Sequence, residues 1–512
     1  MNDLANHWVI LPIVLPAMLA PLIVLAMRHD IVLQRIFSLA GTAALLALSV
    51  ALVAMAAAGP PQMYALGNWP APFGIVLVLD RLSAMMVLLT SVLALFVLVY
   101  ASHGWDRKGW HFHALFQFQL MGINGAFLTG DVFNLFVFFE VLLIASYGLM
   151  LHGGGAKRLG AGVQYVVINL VGSTLFLVAV GLLYGVTGTL NMADLAVKVP
   201  LVEPGSQALL QVGALLLLLV FAVKAALVPL HFWLPGTYAN APAPVVALFA
   251  IMTKVGAYSI IRLYTLAFGA DAGTSAWLAA PWLLPAALVT LVIGMAGVMA
   301  ARNLGRMAAF AVIGSMGTLL TAVALFTPEA MTAALYYLLH STLVAAGLFL
   351  VVDLIAERRP GLGDSVTAAP GFAQLGILAS LFFLAAIAMA GMPPLSGFVG
   401  KLLILDSARG DTAMVWIWLV VLTTSLLCIL GFARAGSLLF WKSAAFPSVI
   451  EPEPVARPAL PMVAAGLLLG GTVALTAFAG PVMAYLEATA AQLFAPGEYI
   501  RAVLGPEAIV KR

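Results

Sequence analysis

The chain has 512 residues, of which 63% are hydrophobic and only 8% charged, with a mean hydropathy of +1.11 and a formal charge of +3. This composition excludes a soluble globular protein and is typical of a polytopic membrane protein. The small net charge gives no indication of nucleic acid as a partner. The single cysteine, Cys428, excludes disulfides and cysteine-bound metal or iron–sulfur sites.

Apolar segments long enough to cross a bilayer core, about 20 residues each, recur along the whole chain. The first of them is long enough to span and no Lys or Arg precedes it, so it is not a cleavable signal peptide. The sequence therefore predicts an all-α polytopic membrane protein with about 14 transmembrane helices. The fourteen predicted spans lie near 8–27, 36–58, 81–101, 113–129, 132–151, 163–186, 207–229, 245–264, 277–300, 307–327, 329–354, 373–405, 413–440 and 460–485.

Lys and Arg are distributed unevenly between the two alternating sets of connections. One set holds twelve of them, and the other set, which includes both termini, holds six. Cytoplasmic loops are enriched in Lys and Arg, so this asymmetry predicts that both termini lie outside the cytoplasm. The six basic residues assigned to the outside are Lys198, Arg262, Arg409, Arg501, Lys511 and Arg512; Arg457 is among the twelve.

Two spans are interrupted by prolines, and each has a lysine nearby. In span seven, Pro229 is expected to end or kink the helix five residues after Lys224. In span twelve, Pro393 and Pro394 precede Lys401. The letters VPLHFW and PPLSGF at the two breaks are similar and lie five spans apart, which reverses their orientation. This pattern predicts inverted repeats with an ion site at each break, with chance similarity as the alternative.

Four ionisable side chains are predicted deep in the membrane: Glu140, Lys224, Lys254 and Lys401. Glu140 lies nine residues beyond Asp131, or about 13 Å along a helix. An unpaired charge at a helix centre costs roughly 2.5–3.5 kcal/mol, so four would cost about 10–14 kcal/mol, which rivals the stability of a domain. We therefore expect these groups to face one another or water and to form a transport relay. A fixed buried salt bridge between helices is the alternative.

Two histidines are candidate members of this relay. His340, in the middle of span eleven, could bridge Lys254 and Lys401, because the pKa of a free imidazole lies near neutrality. The alternative is a neutral imidazole hydrogen-bonded to Ser341 or to a backbone carbonyl. His231, beside the break in span seven, either feeds protons to the nearby lysine or satisfies backbone groups that the break loosens.

Acidic residues near the ends of spans are secondary candidates. Asp131 and Asp353 are expected to have hydrated interfacial roles. Arg81 and Arg434 can reach the lipid headgroups and could pair with Asp80 or Asp353. No phosphate-binding glycine loop or dinucleotide fingerprint occurs in the sequence, so ATP or a bound nucleotide is not the expected energy source.

Three stretches resemble a known family: FNLFVFFEVLLIASYGLM around Glu140, VKAALVPLHFWLPGTYANAPAPVVALFAIMTKVGAY, and GMPPLSGFVGK. They are similar to the antiporter-like subunits that multi-subunit monovalent cation/proton antiporters share with respiratory complex I. The resemblance covers nearly the whole chain. The stretch around Glu140 is most similar to the D subunits of the Mrp-type antiporters, which are also called Mnh or Pha.

The resemblance implies two inverted five-helix repeats, made of spans 4–8 and 9–13. The implied domains are 1–112, 113–264, 277–440, and 441–512 with an amphipathic C-terminal tail. In the implied relay Glu140 pairs with Lys224, and Lys254 and His340 lead on to Lys401. The counterpart in complex I usually has glutamate at the last position, so Lys401 counts mildly against that complex.

The function expected from this resemblance is exchange of cytoplasmic Na+, K+ or Li+ for external protons across a bacterial inner membrane. Implied partners are the other antiporter subunits, in a hetero-oligomer of six or seven chains, with membrane lipids around them. No cofactor and no enzymatic activity are expected. The alternatives are a proton-pumping subunit of complex I or of a membrane hydrogenase, and a scaffold subunit whose charges only stabilise assembly.

Overall fold

The computed structural model describes residues 7–446 and 459–509, and most of this part is helical. Arg457, Lys511 and Arg512, which enter the orientation count, lie outside the described residues. Within the described ranges the α-helices are α1 Leu11–Ala26, α2 Ile31–Ala58, α3 Arg81–Ala101, α4 Phe112–Leu128, α5 Val132–Met150, α6 Ala156–Thr187, α7 Met192–Lys198, α8 Gln207–Lys224, α9 Trp233–Asn240, α10 Ala243–Phe249, α11 Met252–Leu266, α12 Ala280–Ala300, α13 Leu304–Val323, α14 Pro328–Glu357, α15 Leu375–Ala390, α16 Ser396–Ser407, α17 Met414–Gly436, α18 Leu460–Ala477, α19 Ala479–Phe494 and α20 Gly497–Leu504.

Each of the fourteen predicted spans overlaps at least one of these helices. In the described part of the chain, 11 segments are long and apolar enough to cross a membrane, and the apolar helices α1 and α15 are shorter. The prediction of an all-α polytopic membrane protein is confirmed. The number of fourteen spans and the pair of inverted repeats stay predictions.

The centre of the bundle is formed by α10, α11, α13 and α14. The most apolar windows of these segments are 89% to 100% buried inside the protein, whereas the corresponding windows of α2, α17 and α18 are only 33% buried. A helix that is covered on all sides lies in the core of a bundle, and one that exposes an apolar side faces lipid or a partner. The lysine- and histidine-bearing segments α11 and α14 are therefore central.

Several helices begin at a side chain that accepts hydrogen bonds from their first turn. Asp131 caps α5 by accepting from the backbone N–H of Asn134 at 2.8 Å. Asp80 and Ser83 form a reciprocal capping box at the start of α3. These caps satisfy backbone donors that a helix leaves unpaired. Asp131 is therefore first of all the residue that fixes the start of the helix carrying Glu140.

The structure differs from the sequence prediction outside the spans. A two-stranded antiparallel sheet, β1 Gln62–Ala65 and β2 Val76–Leu79, lies between α2 and α3. Its second strand is fully buried, although the sequence predicts an all-α fold. The predicted amphipathic tail forms α20, and its apolar residues Tyr499, Ile500 and Val503 are buried against the rest of the chain.

The predicted pairing of Arg81 and Arg434 with Asp80 or Asp353 is wrong. Arg262, which the sequence pattern assigns to an outside connection, lies inside α11 and is only 3% exposed. Its guanidinium binds both oxygens of Asp80, at 2.5 and 2.8 Å. Arg81 and Arg434 instead donate to backbone carbonyls, those of Ala57 and Ala301. A buried guanidinium needs a carboxylate more than one at the rim does, because water cannot solvate it.

Candidate functional site

The first broken span ends earlier than Pro229 predicts. Helix α8 ends at Lys224, and the N–H of Leu227 donates to the carbonyl of Ala222 while the N–H of Ala226 donates to that of Val223. This pair of bonds closes a helix in the Schellman motif, whose turning residue is usually glycine. Here Ala226 takes that left-handed conformation, with φ +55°. The predicted end of the helix, at Pro229, is wrong. The turning residue is an alanine instead of a glycine, so the sequence does not mark where this helix ends.

Lys224 and Glu140 each bond to a polar side chain of α6. Lys224 Nζ donates to Asn169 Oδ1 at 2.8 Å, and Ser173 Oγ donates to Glu140 Oε1. Asn169 and Ser173 are one helical turn apart on the same face of α6. The Asn169 amide is oriented by its own Nδ2, which donates to the carbonyl of Tyr165 at 2.8 Å. The predicted pair thus forms no direct ion pair, and its two members bond to different side chains on one helix face.

The second broken span has the same kind of end. Helix α15 ends at Ala390, Gly391 has φ +76°, and the N–H of Met392 donates to the carbonyl of Ile387. Lys401 reaches back from α16 and donates to the carbonyl of Ala390 at 2.8 Å. Its Nζ also donates to Ser425 Oγ of α17 at 2.8 Å.

Both lysines are associated with the C-terminal end of the first half of a broken span. Lys224 is the last residue of α8, and the ammonium of Lys401 binds the last residue of α15. The final carbonyls of a helix lack intrahelical donors and carry partial negative charge. The end of α15 therefore stabilises the Lys401 ammonium, whereas the Lys224 ammonium bonds to the side chain of Asn169.

Lys254 lies between the two breaks, near the middle of the Ala243–Leu266 span and completely buried. The regular hydrogen bonding of this span is interrupted just before it, where Ala250 and Ile251 donate to carbonyls three residues earlier. Among the described residues, Lys254 Nζ has one hydrogen-bond partner, Thr253 Oγ1, at 3.5 Å. Such tighter turns inside a helix often mark a functional hinge.

His340 connects this lysine with the second break. Its Nδ1 lies 2.8 Å from Ser396 Oγ at the start of α16. The imidazole is 1% exposed and within electrostatic range of both Lys254 and Lys401. Its hydrogen-bond partners are thus on neighbouring helices, the Ser396 hydroxyl and the backbone of Ala388, whereas Ser341 bonds to its own helix.

The remaining candidates do not join this chain of contacts. His231 lies in the connection between α8 and α9, and its Nδ1 has no hydrogen-bond partner among the described residues. Asp353 lies near the C-terminal end of α14, where its Oδ2 accepts from Tyr100 Oη and Trp105 Nε1, both at 2.7 Å.

Two cavities approach the buried chain from opposite ends of α14. One of about 490 Å³ is lined by Phe349 and Asp353, near the C-terminal end of α14. The other, of about 740 Å³, lies at the N-terminal end and is lined by Glu329 and by Leu403, two residues beyond Lys401. Phe349 and Glu329 are 20 residues apart, or about 30 Å along the helix. His340 lies between them, nearer to Phe349.

Four polar residues of the site carry little signal in the sequence: Asn169, Ser173, Ser396 and Ser425. The spacing of the first two on span six indicates one polar helix face, which is more often a contact between helices than a binding site. Ser396 and Ser425 become recognisable only once the break at Gly391 has been located in space.

An ion cluster fixes the connection between α3 and α4, in which Asp106 lies outside the membrane-spanning helices. Asp106 accepts from Arg35 at 2.6 and 2.8 Å and lies 3.2 Å from His113 Nε2. Burial raises the pKa of the Asp106 carboxyl, but the hydrogen bonds from Arg35 and His113 outweigh it and lower that pKa to about 2. This cluster stabilises the fold and lies away from the buried lysines.

Comparison with known proteins decides the family. The family model described as NADH:quinone oxidoreductase/Mrp antiporter, TM matches residues 129–429, which contain both breaks and all five candidate relay residues. The chain belongs to this family. Among curated members it is 42% identical to the D subunit of a probable K(+)/H(+) antiporter of Rhizobium meliloti, over 98% of both chains. It is 38% identical to the D subunit of a Na(+)/H(+) antiporter of Bacillus subtilis, over 98% of this chain and 99% of that protein.

Solved structures of the Mrp antiporter and complex I family have the same fold. A chain of the Mrp complex from Dietzia sp. DQ12-45-1b aligns with a TM-score of 0.86 and 29% identity, over 98% of this chain and 100% of that one. A chain of respiratory complex I from Thermus thermophilus aligns with a TM-score of 0.77 and 26% identity, over 95% and 99%. A chain of an archaeal membrane-bound sulfane sulfur reductase aligns with a TM-score of 0.87 and 25% identity, over 97% and 99%.

Proposed function

We propose that this chain is the D subunit of a hetero-oligomeric monovalent cation/proton antiporter and that it carries an ion path of its own. The observation that carries the proposal is the burial inside the bundle of Lys224, Lys254, His340 and Lys401, each with polar partners on the central helices or at the breaks. Buried charges inside a membrane bundle are expensive and are by default functional. Among the described residues, Lys224, Lys254 and Lys401 have no carboxylate partner within 4 Å. Buried charges that served only to hold helices together would be expected to form such pairs, so a role in assembly alone is disfavoured.

In the proposed mechanism, protons pass along Lys224, Lys254, His340 and Lys401, and the charge on Glu140 controls Lys224. The hydroxyl of Ser173 and the amide of Asn169 transmit that control, because they bind the carboxylate and the ammonium from one face of α6. When Lys224 gives up its proton, its bond to Asn169 weakens, and an ammonium can form farther along. The exchanged cation is proposed to be Na+ or K+, the ions that the names of the relatives print, with Li+ as a further candidate.

A respiratory subunit is the second candidate, because the chain also aligns with subunits of respiratory membrane complexes. Identity favours the antiporter: it is 42% and 38% to antiporter D subunits and 25% to 26% to the respiratory chains. The chain is accordingly proposed to be a transporter component without enzymatic activity. Its partners are the other antiporter subunits.

The remaining assignments are proposed on weaker support. Repeats at 113–264 and 277–440 are supported by the similar way in which α8 and α15 end, each with a left-handed residue after its last turn. A bacterial inner-membrane location with both termini outside is supported by the basic side of the bundle, where Lys157 and Arg158 flank the turn between α5 and α6. The tail after about residue 485 packs on the protein instead of lying free at the interface.

The proposed function is tested with the whole complex in inverted membrane vesicles. Addition of Na+ or K+ to respiring vesicles should release the internal acid, and fluorescence of a pH-sensitive dye reports this exchange. The variants Glu140→Ala and Lys224→Ala should abolish it, while Lys442→Ala, which changes an exposed lysine, should not. Native exchange by either of the first two variants, assembled in normal amount, would refute the relay. Copurification with flavin and iron–sulfur subunits would favour the respiratory alternative.

A further inference from the structure

The turn that follows α8 has a backbone donor that the helix itself does not use. The N–H groups of Ala225, Ala226 and Leu227 donate to carbonyls in the last turns of α8. Val228 comes next, and Pro229 beyond it has no N–H to offer. A backbone donor at membrane depth is costly without a partner, because no bulk water replaces the missing bond. The N–H of Val228 therefore needs an acceptor from another part of the bundle.

That acceptor is the hydroxyl of Thr290, in the middle of α12. The N–H of Val228 donates to Thr290 Oγ1 at 2.9 Å, and Thr290 is completely buried. The hydroxyl in turn donates to the carbonyl of Ala286 at 2.6 Å, one turn earlier in its own helix. Helix α8 belongs to the proposed repeat 113–264 and α12 to the proposed repeat 277–440. One hydroxyl thus connects the two proposed repeats at the first break.

Two further contacts hold the same end of α8. Trp233 Nε1, at the start of α9, donates to the carbonyl of Val223 at 3.1 Å. Gly256 of α11 lies directly against the backbone, so that a Cβ on it would come within 2.8 Å of the Ala225 nitrogen. Gly256 is two residues beyond Lys254. The end of α8 is therefore held from three sides, by α9, α11 and α12.

The turn held in this way is not one that its residues prefer. Ala226 has φ +55°, a left-handed conformation in which the Cβ of an L-residue is crowded by its own backbone. Such strain persists only where the surrounding structure determines the conformation. Lys224 is two residues before Ala226, at the end of α8. If the turn relaxed, the last turn of α8 would move and the ammonium of Lys224 would no longer be aimed at Asn169.

We propose that Thr290 is a positioning residue for ion exchange, which fixes the turn after α8 so that the Lys224 ammonium meets Asn169 Oδ1. The inference rests on the proposed function and makes the second repeat part of the first ion site. A bond that only stabilises the fold is the alternative outcome of the test.

The first experiment replaces Thr290 in the whole complex and measures cation-induced release of acid in inverted vesicles. Thr290→Val keeps the shape and leaves the Val228 N–H without an acceptor, and a buried donor left in this way corresponds to about a factor of ten or more in a rate. We expect the maximal exchange rate to fall by about that factor. Thr290→Ser keeps the hydroxyl and should stay within about two-fold of the native rate. Native exchange by Thr290→Val, or an equal loss in Thr290→Ser, would overturn the role.

Thr321→Val is the matched control. Thr321 of α13 is also completely buried, and its hydroxyl donates to the carbonyl of Gly317, one turn earlier in its own helix. The control therefore loses the same bond within a helix that Thr290→Val loses, but no bond to a broken span. Because such bonds contribute little to a helix, exchange should stay within about two-fold. A loss as large as that of Thr290→Val would overturn the role.

A double-mutant cycle with Asn169→Leu separates positioning from a merely structural effect. If Thr290 acts through the bond between Lys224 and Asn169, the double variant should exchange no more slowly than the slower of the two single variants. Independent effects multiply, so two losses of about ten-fold would combine to about 100-fold. A product of that size would overturn the positioning role.

A second variant keeps the test decisive if Thr290→Val does not assemble. Gly256→Ala places a methyl group against the backbone at the end of α8, which must then move, and should slow exchange by about ten-fold. Gly181→Ala is its control, because Gly181 of α6 has open space around it and should exchange at the native rate. Native exchange by Gly256→Ala would overturn the proposal.

Failure of this inference differs from failure of the proposed function. A native complex that exchanges no cation for protons would refute the proposed function, and the role of Thr290 with it. A native complex that exchanges normally, together with a Thr290→Val complex that does the same, would refute the role of Thr290 alone.

Discussion

Replacement of Asn169 by leucine removes the hydrogen-bond acceptor of the Lys224 ammonium with little change in shape. In the native protein the amide oxygen accepts from Lys224 Nζ at 2.8 Å. Among the described residues this amide oxygen is the one hydrogen-bond acceptor of the ammonium. Leucine has the same branching but no acceptor. We expect the Asn169→Leu complex to assemble normally and to exchange ions slowly.

The size of the effect follows from the energy of the lost bond. A hydrogen bond to a charged group contributes about 1.5–3 kcal/mol, and about 1.36 kcal/mol corresponds to a factor of ten. The ratio of charged to neutral Lys224 should therefore fall roughly 10- to 150-fold. The contact with the ring of Phe139, whose centroid lies 5.6 Å from Nζ, remains and keeps part of the stabilisation. A fall in exchange of about ten-fold is the conservative expectation.

The assay is cation-induced release of internal acid in inverted vesicles, with the amount of assembled complex measured in the same vesicles. Thr174→Val is the matched control, because Thr174 lies on the exposed side of α6 and bonds to its own helix. It should exchange at the native rate. Normal exchange by Asn169→Leu would show that the amide does not connect Glu140 to Lys224 and would refute the reasoning.

Three further variants test other parts of the account. Lys401→Arg should lose exchange although it keeps the charge, because arginine hardly deprotonates, whereas Lys442→Arg on the surface should not; vesicle assays of both decide this. Asp80→Asn should lower the free energy of unfolding by about 3–5 kcal/mol because it leaves the guanidinium of Arg262 buried without its carboxylate, and thermal unfolding in detergent would show no shift if the pair were dispensable. The pKa of Asp106 is lowered from 3.8 to about 2, so the stability that its charged form contributes is present above about pH 4 and lost as the pH falls through 2. The Asp106→Asn protein should be less stable at neutral pH and should lack this acid-dependent loss of stability. Identical dependence of stability on pH in the two proteins would contradict the assignment.

The spans and the deep charges are visible in the sequence because both depend on composition. A run of apolar residues has few stable structures in a membrane other than a helix, and a lysine inside such a run stands out. Broken spans are announced by prolines, and the breaks do occur near Pro229 and Pro394. What the prolines do not show is where each helix ends, since Ala226 turns the chain before Pro229 is reached.

The partners of the charges are less visible because they are ordinary residues. Asn169 and Ser173 look like contacts between helices until α6 is placed against α5 and α8. Stabilisation of Lys401 by the end of α15 has no sequence signal, since it depends on a backbone carbonyl. The pairing of Asp80 with Arg262 also has no sequence signal, because the two residues are 182 positions apart and meet only in the folded bundle.

The central claim is that protons pass through a continuous chain of buried ionisable groups, and Lys254 is its middle member. Lys254→Met keeps the side-chain length and removes an ammonium that has no ion-pair partner among the described residues. Removing such a charge does not cost stability, so the purified complex should keep its melting temperature while exchange in proteoliposomes is abolished. Native exchange by the intact Lys254→Met complex would contradict the account.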